Sequence, residues 1–177
     1  SGYFHKGDKE KGFAYTTSTF CDSRGFVLTQ HTTPGNVHDS VSFYGMYNKL
    51  NEKIKETVGF ISLDAGYITP AICKTLINDD IVPVMPYKRP MTKKGFFKKY
   101  EYVYDEYYDE YICPNNKLLP YSSTNREGYK EYKSNPNDCK KCNLINKCTH
   151  SINNQKVETR HIWNEYVEKA NEHRNKP

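Results

Sequence analysis

Apolar and polar positions alternate along the first half of the chain in a way that predicts elements. Gly12–Cys21 (GFAYTTSTFC) and Phe26–Thr33 (FVLTQHTT) are rich in β-branched and aromatic residues and predict two strands. The turn residues Asp22-Ser23-Arg24-Gly25 between them predict a hairpin. After Pro34-Gly35-Asn36, an apolar stripe at helical spacing (Val41, Tyr44, Met46, Tyr47, Leu50, Ile54) predicts one helix, capped by Asp39 or Ser40 and running to Glu56. Val58–Leu63 (VGFISL) is nearly all apolar, the pattern of a strand buried on both faces. Thr69-Pro70 opens a second helix to about Asn78, with Thr at the cap and Pro at the first helical position. Ile81–Met85 (IVPVM) is a further strand, whose Pro83 favours an edge. Hairpin, helix, strand, helix, strand predicts a mixed sheet with flanking helices, an α/β fold.

Beyond Pro90 the pattern changes. Val, Ile, Leu and Phe thin out, and Tyr, Lys, Asn and Glu take over. Only one core of any size is therefore expected, in residues 1–90, with 91–177 forming a basic, Tyr-rich and Cys-rich insertion that ends in a helix. The polar tail Asn171–Pro177 is expected to fray. The chain has 177 residues, 14% of them aromatic, which argues against general disorder. Mean hydropathy is −0.89, and no apolar run approaches the roughly 20 residues of a membrane span. Ser1–Lys11 lacks the apolar stretch of a secretory signal. Net charge is +5, and four of these five excess charges lie beyond Pro90. A polyanionic partner is compatible with that balance.

Three groups of residues carry candidate chemistry. Asp64 follows the apolar strand directly, before Ala65-Gly66-Tyr67, where a carboxylate on rigid backbone suits a hard cation such as Mg²⁺. An Asp in such a turn also serves simply as a cap. Cys139-x2-Cys142-x5-Cys148, with Cys113 upstream, predicts a structural Zn²⁺ site; His150 and His161 are alternative fourth ligands. Reduced thiols, disulfides and an iron–sulfur cluster stay open as alternatives. Cys21 and Cys73 read as buried small apolar residues. Lys88, Arg89, Lys93, Lys94, Lys98 and Lys99 interleave with Tyr87, Phe96, Phe97 and Tyr100, a composition suited to phosphates and stacked bases. Arg126, Lys130, Lys133, Lys140, Lys141 and Lys147 form a second basic stretch, serving DNA or only solvating the cysteine loop. Glu101–Tyr111 is acidic, and Tyr100, Tyr102 and Tyr104 alternate as on a strand, which favours a structural role. His31 and His38 read as packing residues, and Asp39 as a cap rather than a metal ligand.

The ordered series SGYFHKG, GFAYTTSTFCDSRGFV, TPGNVHDS and LDAGY, followed by TNREGY, the cysteines and TRHIW, resembles insertion-sequence DDE transposases from Ser1 to about Arg174. The resemblance implies a partial ribonuclease-H-like core in residues 1–90 with a Cys-rich insertion in 91–177. It implies that Asp64 is the second of three carboxylates that hold two Mg²⁺ or Mn²⁺ ions for phosphoryl transfer on DNA. It further implies transposon-end and target DNA as partners, a homodimer in the full-length protein, no membrane, and a cytoplasmic, nucleoid-associated setting in bacteria. The family's first Asp lies just upstream of a Ser-Gly-Tyr-Phe-like segment, and its final Glu lies on a helix after the insertion. Asp8, Asp22, Glu165 and Glu168 match neither position. The chain, which opens at Ser1 without Met, is therefore expected to be an internal piece of a transposase, inactive by itself. The competing expectation is a non-catalytic, zinc-stabilised DNA-binding module.

Overall fold

Turn chemistry and β-branched runs build the first part of the chain. The computed structural model describes residues 1–6, 10–50 and 52–174; Asp8 lies outside them. Strands β1 (Gly2–Lys6), β2 (Glu10–Cys21) and β3 (Val27–Pro34) form an antiparallel sheet in that order. The β2–β3 turn forms as its residues dictate. Asp22 Oδ1 accepts the Arg24 and Phe26 N–H groups, each at 2.9 Å, and Gly25 takes φ +87°. Cys21 falls on the exposed face of the β2 alternation, with Phe13, Tyr15, Thr17 and Thr19, against the expectation of a buried thiol. Cys73, by contrast, is buried, and desolvation pushes its thiol pKa up to about 11.

The helix predicted through Glu56 is two helices, α1 (Asp39–Tyr47) and α2 (Glu52–Lys55). Lys49 and Leu50 N–H groups bond to the carbonyls of Met46 and Tyr47, three residues back, which tightens the last turn and ends α1. The cap is His38, whose Nδ1 accepts from the Ser40 N–H at 3.2 Å, so neither Asp39 nor Ser40 caps. Met46, Tyr47 and Leu50 are buried as the stripe predicts, but Val41 faces outward and the fully buried residue near the start of α1 is Phe43.

Strand β4 (Phe60–Ser62) pairs in parallel with β5 (Val82–Val84), and α3 (Pro70–Asn78) connects them. Thr69 caps α3 by accepting the Ile72 N–H, and Pro70 fills the first helical position, both as predicted. Strand β4 is not buried on both faces. Ile61 and Leu63 pack into the core while Phe60 is 66% exposed, an ordinary two-residue alternation. Pro83 sits in a two-stranded pair, where every strand is an edge. This first core gathers Phe43, Tyr47, Leu50, Leu63, Ile72, Leu76 and Ile81.

The second part is an antiparallel meander: β6 (Val103–Asp105), β7 (Glu110–Ile112), β8 (Leu118–Thr124), β9 (Tyr129–Lys133) and β10 (Val157–His161), adjacent in that order. Short helices α4 (Pro136–Lys140) and α5 (Ile145–Cys148) lie between β9 and β10. This segment has a core of its own, which hydropathy did not predict. Tyr102, Tyr111, Leu119 and Tyr132 are buried, with Phe97, Tyr104, Cys113 and Cys148 packed against them. The final helix α6 (Asn164–Arg174) continues through Asn171, where fraying was expected. Its Ala170, Tyr166 and Val167 belong to the first core. The chain thus divides into Ser1–Lys88 with Glu165–Pro177, and Arg89–Asn164. Among the described residues, no helix is long and apolar enough to cross a membrane.

Candidate active site and cysteine cluster

Asp64 occupies the position its sequence context predicts. The β4–β5 ladder extends to Leu63, whose N–H bonds to the Val84 carbonyl at 3.0 Å, and the chain then turns. Asp64 is exposed and caps a single 3-10 turn, Ala65–Tyr67, its Oδ1 accepting the Gly66 N–H at 2.7 Å. Capping and display coincide, because the bond that closes the turn also fixes the carboxylate. A second carboxylate is close by. A Cβ built on Gly66 would lie 3.0 Å from Asp39 Oδ2 and 3.1 Å from Asp64 Oδ1. Asp39 reaches this place because His38 takes the cap of α1 and frees the Asp39 side chain. Its type and position were visible in the sequence, but a residue heading a predicted helix reads as a cap. The two carboxylates offer hard oxygen donors of the kind Mg²⁺ and Mn²⁺ take.

The four cysteines of the second segment line one cavity of about 30 Å³. Cys113 opens the β7–β8 turn, Cys139 lies in α4, Cys142 in the turn after it and Cys148 at the end of α5. All four are partly buried and free of disulfides. Lys117 N–H donates to Cys113 Sγ, and Leu144 N–H and Asn115 Nδ2 donate to Cys142 Sγ, each at 3.4 Å. Cys139 Sγ donates to Ser134 Oγ at 3.1 Å, and the Tyr102 hydroxyl lies 3.2 Å from Cys148 Sγ. Burial raises the Cys148 pKa, Cys139 and Cys113 push the same way, and the Tyr102 hydroxyl and Lys156 oppose them. The alternative histidines lie elsewhere: His150 packs on Phe96, and His161 on Tyr129 and Trp163. Among the described residues, no group of three or more His, Cys, Asp or Glu is drawn close enough to hold a metal ion as the side chains stand.

Lys88, Arg89, Lys93, Lys94, Lys98 and Lys99 are all exposed. Some already have intramolecular partners: Lys93 lies over Phe96, Lys98 over Tyr100, and Lys99 donates to the Thr159 carbonyl at 2.9 Å. Phe97 packs in the second core rather than lying open for a base. In the other basic stretch, Lys130 pairs with Asp109 at 2.8 Å and Lys133 with Glu131 at 3.0 Å.

Sequence reasoning missed Asp109, the centre of the tyrosine core. Its Oδ1 accepts the hydroxyls of Tyr104 (2.8 Å) and Tyr132 (2.6 Å), and its Oδ2 binds Lys130. Burial alone would raise its pKa. The Lys130 ammonium and the two hydroxyls outweigh that and lower it to about 2. The dense run of tyrosines around it was the available signal.

Residues 112–177 match the family model of the transposase DDE domain, a stretch that holds all four clustered cysteines and α6 but not Asp64. No curated protein and no solved structure matches the chain. The family comparison agrees with the later motifs, TNREGY, the cysteines and TRHIW, and over residues 112–177 this chain is similar to DDE transposases.

Proposed function

We propose that the chain is part of a DDE transposase that cleaves and joins DNA strands, with Asp64 as one of its metal-holding carboxylates. The observation that carries this reading is Asp64 itself, set at the end of a core strand and oriented by the Gly66 N–H. Divalent Mg²⁺ or Mn²⁺ ions, when bound, supply activation of the attacking oxygen and stabilisation of the leaving one. Asp64 then has two parts: it offers hard oxygen ligands, and its bond to Gly66 keeps them oriented with little loss of entropy. Asp39, whose carboxylate also lies beside Gly66, adds negative charge that favours cations there. The exposed Lys88, Arg89, Lys93, Lys94, Lys98 and Lys99 would neutralise DNA phosphates. The ribonuclease-H-like core is supported by the α/β order of residues 1–90 and by the motifs. Two paired ions require further carboxylates, so Asp64 and Asp39 alone are expected to give no catalysis.

The test is metal-dependent cleavage of transposon-end DNA by the protein encoded by the uninterrupted reading frame, with Asp64→Asn as the variant. Losing even an outer-shell partner of a metal costs about 10–100-fold, so losing this carboxylate should cost more than about a hundredfold. DNA binding should be retained. Unchanged cleavage would remove Asp64 from the site. If the frame encoded neither flanking carboxylate and never cleaved, a non-catalytic DNA-binding module would stand instead, the reading favoured by the exposed lysines.

A further inference from the structure

We infer that Cys113, Cys139, Cys142 and Cys148 are the ligands of one structural zinc ion that closes the segment Arg89–Asn164. Topology brings together sulfurs that the sequence scatters over 36 positions. Three separate pieces of backbone deliver them: the β7–β8 turn, α4 with its following turn, and α5. All four line the same small cavity.

The backbone around these sulfurs is arranged for thiolates. The Cys113 turn is closed by Asn116 N–H to the Cys113 carbonyl (2.8 Å) and by Cys113 N–H to the Lys117 carbonyl (2.9 Å), and this aims the Lys117 N–H at Cys113 Sγ. The second turn repeats the device. Ile145 N–H bonds to the Cys142 carbonyl at 3.3 Å, and Leu144 N–H then meets Cys142 Sγ. N–H donors directed at sulfur stabilise a negative sulfur far more than a neutral thiol. Lys117 and Lys156 also line the cavity and offset part of the excess charge of four thiolates around a dication.

The donor set selects the ion. Four sulfurs exclude Mg²⁺ and Ca²⁺, which take oxygen, and suit Zn²⁺, which accepts tetrahedral thiolate without geometric preference of its own. The cavity of about 30 Å³ has room for an ion among the four sulfurs. Ion binding replaces the present thiol contacts, such as Cys139 Sγ to Ser134 Oγ, with bonds to the metal through side-chain rotation. The segment also needs a tie. Helices of five and four residues, α4 and α5, are too short to be stable by themselves. An ion bonded to both and to the β7–β8 turn would fix them to the sheet. None of this depends on Asp64, and a non-catalytic chain would hold the ion equally.

The experiment is elemental analysis of residues 1–177 purified without added metal or chelator. It is combined with release of metal from the native protein by a thiol-blocking reagent. The expected result is one zinc per chain, freed as four thiols are blocked, and loss of most of it in Cys142→Ser and in Cys113→Ser. Cys21→Ser, exposed and outside the cavity, should keep full zinc. Should the serine variants fail to fold, Co²⁺ exchanged into the unmutated protein should show the visible bands of tetrahedral thiolate coordination. Zinc near zero with every thiol free, iron with acid-labile sulfide, or a disulfide among the four would each overturn the assignment. Zinc retained at full level in folded Cys142→Ser would overturn it as well.

Discussion

Two residues show how much depends on single side chains. Asp109 takes φ +51°, a conformation that Asp and Asn tolerate and most residues do not, and from there it holds two tyrosine hydroxyls and a lysine. Asp109→Asn is therefore the informative variant, since it keeps shape and backbone while removing charge. The folded pKa lies below the ordinary 3.8, so the charge stabilises the protein above about pH 4 and ceases to do so as pH falls through about 2. The carboxylate is 38% exposed, and solvent screening reduces the expected contribution to about 1 kcal/mol. Urea melts of the two proteins should differ by that amount near neutrality and converge on acidification from about pH 5 to about pH 2. A gap that persisted at low pH would assign the effect to packing. Asp109 was not legible in the sequence because hydropathy counts Tyr as half apolar, and nothing in periodicity says where buried hydroxyls find an acceptor. Asp64 was legible because the strand before it and the glycine turn after it are local. The nearness of Asp39 to it was not, because that depends on where α1 lies against the 3-10 turn.

Among the elements, those specified by local chemistry were readable and those decided by packing were not. Thr69-Pro70 marks the start of α3 correctly because cap and first helical position are fixed by neighbouring residues. The end of α1 escaped the pattern because Leu50 is apolar at helical spacing yet reaches the core from a tightened turn. The seating of α1 on β3 rests on another local detail. Gly45 faces the His31 ring so closely that an added Cβ would overlap it. Lys49 Nζ lies 3.4 Å from His31 Nδ1 and fixes the ring from the other side. In an exposed helix, Gly→Ala would stabilise by about 1 kcal/mol. Here overlap reverses the sign, and Gly45→Ala should cost about 1–3 kcal/mol. Adding His31→Ala should recover much of that loss, a coupling that a double-mutant cycle in thermal or urea unfolding would read directly. Additive losses would show that the ring is not what Gly45 accommodates.

For the molecule as a whole, the apolar residues concentrated before Pro90 predict one core, and the described residues form two that share no residue. The second escapes a hydropathy count because it is built from tyrosines whose hydroxyls are satisfied by Asp109 and placed against Cys148. Such a core contributes apolar area only while those hydroxyls stay bonded, since each one left unpaired costs about 1–3 kcal/mol. Each core then governs its own elements, because local opening follows units that share buried contacts. Leu76, in the first core, and Leu119, in the second, are both fully buried, and truncating either to Ala should cost about 2–5 kcal/mol. Hydrogen exchange separates the two. Leu119→Ala should strip protection from β6–β10 while leaving α3 and the β4–β5 pair as protected as before, and Leu76→Ala should do the reverse. Equal loss of protection everywhere in both variants would mean that the chain opens as one unit, and the division into two cores would then have no energetic counterpart.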